Sequence, residues 1–309
     1  MTSQLRPQTL KEFKGKSNIK ENLNVYINSA KKNNVQLDHC LIYGLPGTGK
    51  TTLAMLIAKE IEKPIKILQG GMLCKNIDII NVLLTINDGD VIFIDELHAM
   101  NQTIIELLFT AIEDFALDIP IGKDFNTKIT RLKIPKFTLI GATTKFGRIP
   151  LPLEERFGIV INLKMYDIKS LCEIIELNAN KLGVKLNDDE ILKISENSKN
   201  IPRNAIKILK RVIDYKNYDK DMPINTILKK IKIGTNGLTN DDFEYLNILK
   251  YNKKPLGIST ISHILNIDKE TIENKIEPYL LNNMYIVKTT NGRIITEKGL
   301  KLQELDSID

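Results

Sequence analysis

A chain of 309 residues, 42% of them hydrophobic, is long enough to bury a core in two or three domains. It has no apolar run of about eighteen residues, and residues 1–6 lack an apolar signal core, so neither a membrane span nor a secretory leader is expected and the cytoplasm is the expected location. Its three cysteines, Cys40, Cys74 and Cys172, are too scattered for a disulfide framework or a metal cluster, and a net charge of +6 fits a nucleic-acid partner without demanding one.

In chain order, the apolar run 38–43 predicts a buried strand and 50–62 a helix. Between them, Gly44-Leu45-Pro46-Gly47-Thr48-Gly49-Lys50-Thr51 fits the phosphate-binding loop pattern in full, in the strand-to-helix setting that the pattern needs. Gly44, Gly47 and Gly49 let backbone N–H groups curl around phosphates, and the helix N-terminus adds partial positive charge. Lys50 would reach the β- and γ-phosphates, and the Thr51 hydroxyl would ligate Mg²⁺. Residues 91–94 predict a second apolar strand, expected beside the loop-bearing one. Asp95 at its end would hold the Mg²⁺ shell, and Glu96 would polarise the attacking water as general base.

Residues 101–113 predict a helix and 137–140 a third strand, which runs into Gly141-Ala142-Thr143-Thr144. Thr144 there either orients the water or γ-phosphate, or simply closes the strand. This alternation of strands and helices implies a parallel α/β sheet. Arg156, in Leu153-Glu154-Glu155-Arg156-Phe157, is either the cap of an acidic turn or an arginine finger for a neighbour's ATP. Arg203 follows Ile201-Pro202 at a helix start, where the macrodipole disfavours a cation, and an anionic partner such as γ-phosphate would account for it.

A second block, 166–232, reads as helical. Segments 168–182 and 201–215 carry apolar positions at helical spacing, and Asn187, Asp188 and Asp189 signal a helix start between them. A third block opens near Gly237. Segments 239–251, 259–265 and 269–281 predict three helices, and 284–288 and 293–296 predict strands about an Asn291-Gly292 turn. Three helices and a hairpin make a winged helix. From Gly237 onward there are nine basic and eleven acidic residues, so the basic surplus lies earlier, much of it in 163–233.

The order of these motifs resembles the RuvB family, the Holliday-junction branch-migration motors. The resemblance rests on Leu5-Arg6-Pro7 with Leu10 and Gly15, Leu37-Asp38-His39, the loop with Thr51-Thr52, and Asp95-Glu96-Leu97-His98. It continues through Glu113-Asp114-Phe115, the run from Phe137 to Thr144, Arg156-Phe157-Gly158-Ile159, Pro202-Arg203, Thr271-Ile272-Glu273 and Glu277-Pro278-Tyr279-Leu280. It implies an AAA+ large ATPase domain over 1–165, a helical lid over 166–236 and a winged helix over 237–309. It implies an SOS-linked recombination and repair enzyme that hydrolyses ATP with Mg²⁺, works as a homohexameric ring on duplex DNA, and depends on a junction-binding partner resembling RuvA, with resolution by a nuclease resembling RuvC.

Residue by residue, the resemblance places Leu5, Arg6 and Tyr166 near the nucleotide. It gives phosphates and Mg²⁺ to Lys50, Thr51 and Thr52, with Asp95 as metal residue, and makes Thr144 the first sensor and Arg203 the second. Arg156 would be the finger, Glu113, Asp114 and Phe115 would lie near the subunit junction, and Lys288 and Arg293 of the wing would touch DNA. The partner would dock on a hairpin within 118–135 through Ile119, Ile121, Ile129, Leu132 and Ile134. Departures from the family's pattern fall at Glu154 and Leu151, at the hairpin tip 123–128, and in the wing, where Lys288-Thr289-Thr290-Asn291-Gly292-Arg293 replaces a run of arginines. A Lys cannot copy the bidentate Arg fork. Two rivals share parts of the pattern: a clamp-loader-like or initiator-like AAA+ subunit, and an ATP-gated DNA-binding regulator. The wing motif argues against the first and Glu96 against the second.

Overall fold

The computed structural model describes residues 5–121, 128–252 and 254–302. They fall into two compact units, 1–170 and 171–309.

The first unit is built on a five-stranded parallel sheet. In chain order its elements are α1 (Ser17–Asn33), β1 (Cys40–Tyr43), α2 (Lys50–Glu60), β2 (Ile65–Gln69), α3 (Asn76–Leu84), β3 (Val91–Asp95), α4 (Gln102–Glu113), the pair β4 (Ala116–Ile121) and β5 (Lys128–Lys133), β6 (Thr138–Thr143), α5 (Leu151–Glu154) and β7 (Ile159–Asn162). The strand order is β2-β3-β6-β1-β7, all pairs parallel. The expectation that 91–94 lies beside the loop-bearing strand is therefore corrected: β6 stands between β1 and β3. Local sequence pattern carries burial but not adjacency, and all three strands are equally apolar.

Alternation along each strand divides the core into two layers. Leu41, Ile92, Ile94 and Leu139 join one cluster with residues of α3 and α4, including Ile79, Leu83, Ile104 and Leu108. Cys40, Ile42, Val91, Phe93 and Ile140 join the other, with Leu23 and Ile27 of α1 and Leu53 and Ile57 of α2. Both faces being covered explains the near-continuous apolar runs. Five elements of this unit lie outside the predicted set. Helix α1 buries only Leu23, Ile27 and Ala30, and β2 is a half-exposed edge strand. The other three are α3, α5 and β7.

Buried His39 ties α4 to β6. Its Nδ1 accepts from Leu139 N at 2.9 Å, so Nε2 carries the proton and donates to Ile112 O at 3.0 Å. Burial lowers its pKa, which favours this neutral form.

Helix α6 (Ile168–Lys181) leads into the second unit, followed by α7 (Asp188–Glu196), α8 (Pro202–Tyr218) and α9 (Ile224–Lys230). Asn187 caps α7 in a capping box with Glu190. The winged helix comprises α10 (Asn240–Tyr251), α11 (Ile258–Leu265), α12 (Lys269–Thr271), a π-helical turn (Ile272–Ile276), α13 (Glu277–Asn282), the antiparallel β8 (Ile286–Thr289) and β9 (Gly292–Ile295), and α14 (Glu297–Leu300). The single predicted helix 269–281 is thus broken. Pro278 has no N–H to donate and its ring crowds the preceding turn, so the chain widens just before it.

Lid helices and winged helix are joined by polar contacts. Lys199 pairs with buried Asp242, Gly237 N donates to Asn197 Oδ1 at 3.0 Å, and Tyr279 donates to Asn236 O at 2.9 Å. Among the described residues no helix is long and apolar enough to cross a membrane.

Candidate nucleotide site and wing

The strand order brings three carboxyl ends together: the loop after β1, Asp95-Glu96 after β3, and Thr143-Thr144 between them after β6. Ligands of open parallel sheets bind outside this edge. Gly44, Gly47 and Gly49 all have positive φ, and Gly49 at 106° leads directly into α2. A Cβ on Gly49 would stand 3.2 Å from the Phe13 ring and 3.9 Å from the Tyr166 hydroxyl, so both rings flank the loop. Lys16 Nζ sits 4.2 Å over the Tyr166 ring and donates to Met165 O at 2.8 Å. Leu5 is buried, and Arg6 lies over α2, with Nη1 3.2 Å from Met55 Sδ.

Lys50 is buried and donates to Gly44 O at 2.9 Å and Leu45 O at 3.2 Å, so its ammonium lies in the bowl of the loop. One residue on, the Thr51 hydroxyl donates to Asp95 Oδ2 at 3.1 Å across 44 positions of sequence. A hydroxyl and a carboxylate oxygen held this close form the hard oxygen donor set that Mg²⁺ takes. Thr52 follows, half-buried, on α2.

Glu96 adopts a left-handed backbone, φ 52°, which is uncommon for a residue with a Cβ and is found at constrained sites. Gly70 packs against that turn so closely that a Cβ there would meet Glu96 O at 2.4 Å. Glu96 Oε2 accepts from Thr144 N at 3.1 Å and from the Thr144 hydroxyl at 2.9 Å. Thr144 thus contacts the candidate base itself, a partner that the sequence did not indicate. His98 Nδ1 lies 3.2 Å from the same oxygen and 2.9 Å from Thr143 Oγ1. Phe13, Gly70, His98 and Thr143 had no assigned role from sequence; the only signal was that Asp95-Glu96-Leu97-His98 and the 137–144 run recur as units.

Arg156 is brought to the end of α4. Its Nε and Nη2 donate to Glu113 Oε2 at 3.0 and 2.7 Å, Nη1 donates to Pro152 O, and the guanidinium stacks 4.8 Å from the Phe109 ring. Asp114 pairs with Arg131 of β5, and Phe115 packs edge-on against Phe137. On the hairpin, Ile129 and Leu132 are exposed while Ile134 is buried in the sheet core, so Ile134 leaves the expected docking patch. Ile119 also packs on that core, and the tip 122–127 lies outside the described residues. Arg203 is an exposed second residue of α8, in the second unit.

The wing differs from expectation. Arg293 donates through Nε to Glu277 Oε1 at 2.8 Å and pairs with Glu273 at 3.2 Å, and its side chain is only 12% exposed. Lys288 Nζ reaches Glu277 Oε2 at 2.6 Å, and Tyr245 donates to Oε1 at 2.9 Å. Arg293, an expected phosphate contact, has its charge paired with the buried Glu277 carboxylate in the single chain. Lys288 is paired too, but half-exposed. Burial alone would raise the pKa of Glu277, yet the hydrogen bonds from Arg293, Lys288 and Tyr245 hold it below the ordinary carboxylate range.

Known proteins resemble this chain over nearly its whole length. Three family models match: the Holliday junction DNA helicase RuvB P-loop domain over residues 5–163, the RuvB AAA lid domain over 166–233, and the RuvB C-terminal winged helix domain over 235–304. The Holliday junction branch migration complex subunit RuvB of Ureaplasma urealyticum is 48% identical over 300 residues, 97% of this chain and 96% of that protein. Its namesake from Mycoplasma genitalium is 44% identical over 293 residues, 95% of each. The solved structure of the Thermotoga maritima RuvB Holliday junction branch migration motor superposes with a TM-score of 0.85 at 36% identity, over 96% of this chain and 97% of that one.

Proposed function

Because the chain belongs to the RuvB family, we propose that it is the ATP-driven motor subunit of Holliday junction branch migration, acting in recombination and repair. The observation that carries the reading is the meeting of Lys50, Thr51, Asp95 and Glu96 at one sheet edge, with Thr51 and Asp95 already hydrogen-bonded. The family match across all three segments removes the clamp-loader and regulator rivals.

In this reading Lys50 turns from the loop carbonyls to the β- and γ-phosphates of ATP, and Leu5, Arg6 and Tyr166 border the nucleotide. Thr51 and Asp95 would hold Mg²⁺, with Thr52 beside them, and the ion would supply charge neutralisation at the phosphate oxygens. Glu96 takes the proton of the attacking water. Arg156 serves the ATP of a neighbouring subunit in a hexameric ring, with Glu113, Asp114 and Phe115 at that junction, and Arg203 reports nucleotide state to the lid. A RuvA-like protein docks on Ile129 and Leu132, and a RuvC-like nuclease follows. Lys288 is the wing contact to duplex DNA. Residues 1–165, 166–236 and 237–309 are the three domains, and the protein works in the cytoplasm as part of the SOS response.

The test is ATP turnover and strand exchange on a synthetic four-way junction, with linear duplex and no-DNA controls, with and without a RuvA-like partner. Junction and partner together are expected to stimulate both. Lys50→Ala is expected to abolish both, with loss of ATP binding in an equilibrium titration. Turnover indifferent to junction and partner would sink the branch-migration reading and leave a generic ATPase.

A further inference from the structure

Resting on the assignment of Glu96 as general base, we infer that His98 is a positioning residue for that base, acting through one carboxylate oxygen. Thr143 Oγ1 accepts from Lys145 N at 3.0 Å and stands 2.9 Å from His98 Nδ1. Glu96 Oε2 stands 3.2 Å from the same nitrogen. An ionised carboxylate only accepts. A lone pair on Nδ1 would face the lone pairs of Oε2, so Nδ1 carries the proton and shares it between Oε2 and Oγ1.

Oε2 then has donors on three sides: hydrogen bonds from Thr144 N and Thr144 Oγ1, and His98 Nδ1 in contact at 3.2 Å. Oε1 makes no hydrogen bond among the described residues. The His98 ring is itself fixed, being 12% exposed and seated on the short turn Leu97–Ala99 that follows the strained Glu96. The consequence is chemical. One oxygen of Glu96 is spent on orientation, and the other is presented for the proton of water. A base anchored this way holds one rotamer instead of searching several.

The discriminating variants are His98→Leu and His98→Asn. An Asn amide nitrogen lies the same number of bonds from Cα as Nδ1 and restores the donor, whereas Leu fills the space without one. His98→Leu is expected to lower kcat about 10–100-fold, the loss of one hydrogen bond to a charged group, with ATP affinity and thermal midpoint little changed. His98→Asn is expected to recover most of the rate. Glu96→Gln runs alongside. If Glu96→Gln is inactive while His98→Leu turns over like the parent, only the His98 inference falls. If Asn and Leu fail equally with lowered midpoints, His98 is a packing residue and the inference falls likewise. If Glu96→Gln keeps full turnover, the base assignment itself is wrong.

Discussion

Arg156→Ala is expected to cut ATP turnover of the assembled protein by about 10³–10⁵-fold while ATP binding survives. The structure gives this prediction its shape. In the single chain, Arg156 is clamped within its own subunit by Glu113, Pro152 O and the Phe109 ring. A guanidinium held by a half-exposed carboxylate is preorganised but not locked, because exposed pairs contribute about 0–1 kcal/mol. In the proposed ring it would exchange Glu113 for a neighbour's phosphate. Mixing experiments check this directly. As Arg156→Ala replaces wild type in mixed assemblies, activity should fall more steeply than the wild-type fraction. Arg156→Lys should fail as well, because an ammonium lacks the planar fork. A linear decline would mean only that sites fire independently; mixing Arg156→Ala with Lys50→Ala then decides, because recovered turnover requires a finger supplied in trans, and no recovery would mean that Arg156 acts within its own subunit or caps a turn.

Glu277→Gln is expected to destabilise the second unit by about 3–5 kcal/mol, the usual cost of removing one partner from a buried ion pair. Glu277 is fully buried and answers three donors, Arg293, Lys288 and Tyr245. The neutral amide leaves the poorly exposed Arg293 without its closest carboxylate. Because the chain has no Trp, thermal unfolding can be followed by tyrosine fluorescence. The sign with pH follows from the depressed folded pKa. The stabilisation is fully present above the unfolded carboxylate value, about 4.3, and is lost as pH falls through the lower folded value. The parent midpoint should therefore drop with acid below that point, and the difference from Glu277→Gln should shrink. A variant as stable as the parent at neutral pH would show the network to be dispensable.

Much of this was legible in sequence for a physical reason. A phosphate loop is local: glycines, Lys50 and Thr51 act within eight consecutive residues, so spacing alone reveals them. Buried parallel strands are legible because both faces are covered. The winged helix was legible in outline because Asn291-Gly292 announces its hairpin. What was hidden depends on partners far apart in the chain. The place of β6 between β1 and β3 is a matter of topology, and with it comes the contact of Thr144 with Glu96. His98 and Thr143 meet across 45 positions. The pairing of Arg293 was hidden because its partner Glu277 belongs to a different element. Ile134 looked like a surface residue because alternation in a hairpin does not say which face meets the core.

The Glu277 network bears on how the wing would behave against duplex DNA. Tight grip on a phosphate chain comes mainly from cations that displace condensed counterions, each adding to the salt sensitivity of binding. Here both wing cations already have an internal carboxylate, so docking through them would release few ions and gain little from their entropy. Such a contact would be shallow and quickly remade. For a subunit that must let go of one stretch of backbone and take the next, low friction along the track is worth more than tenacity at any one phosphate.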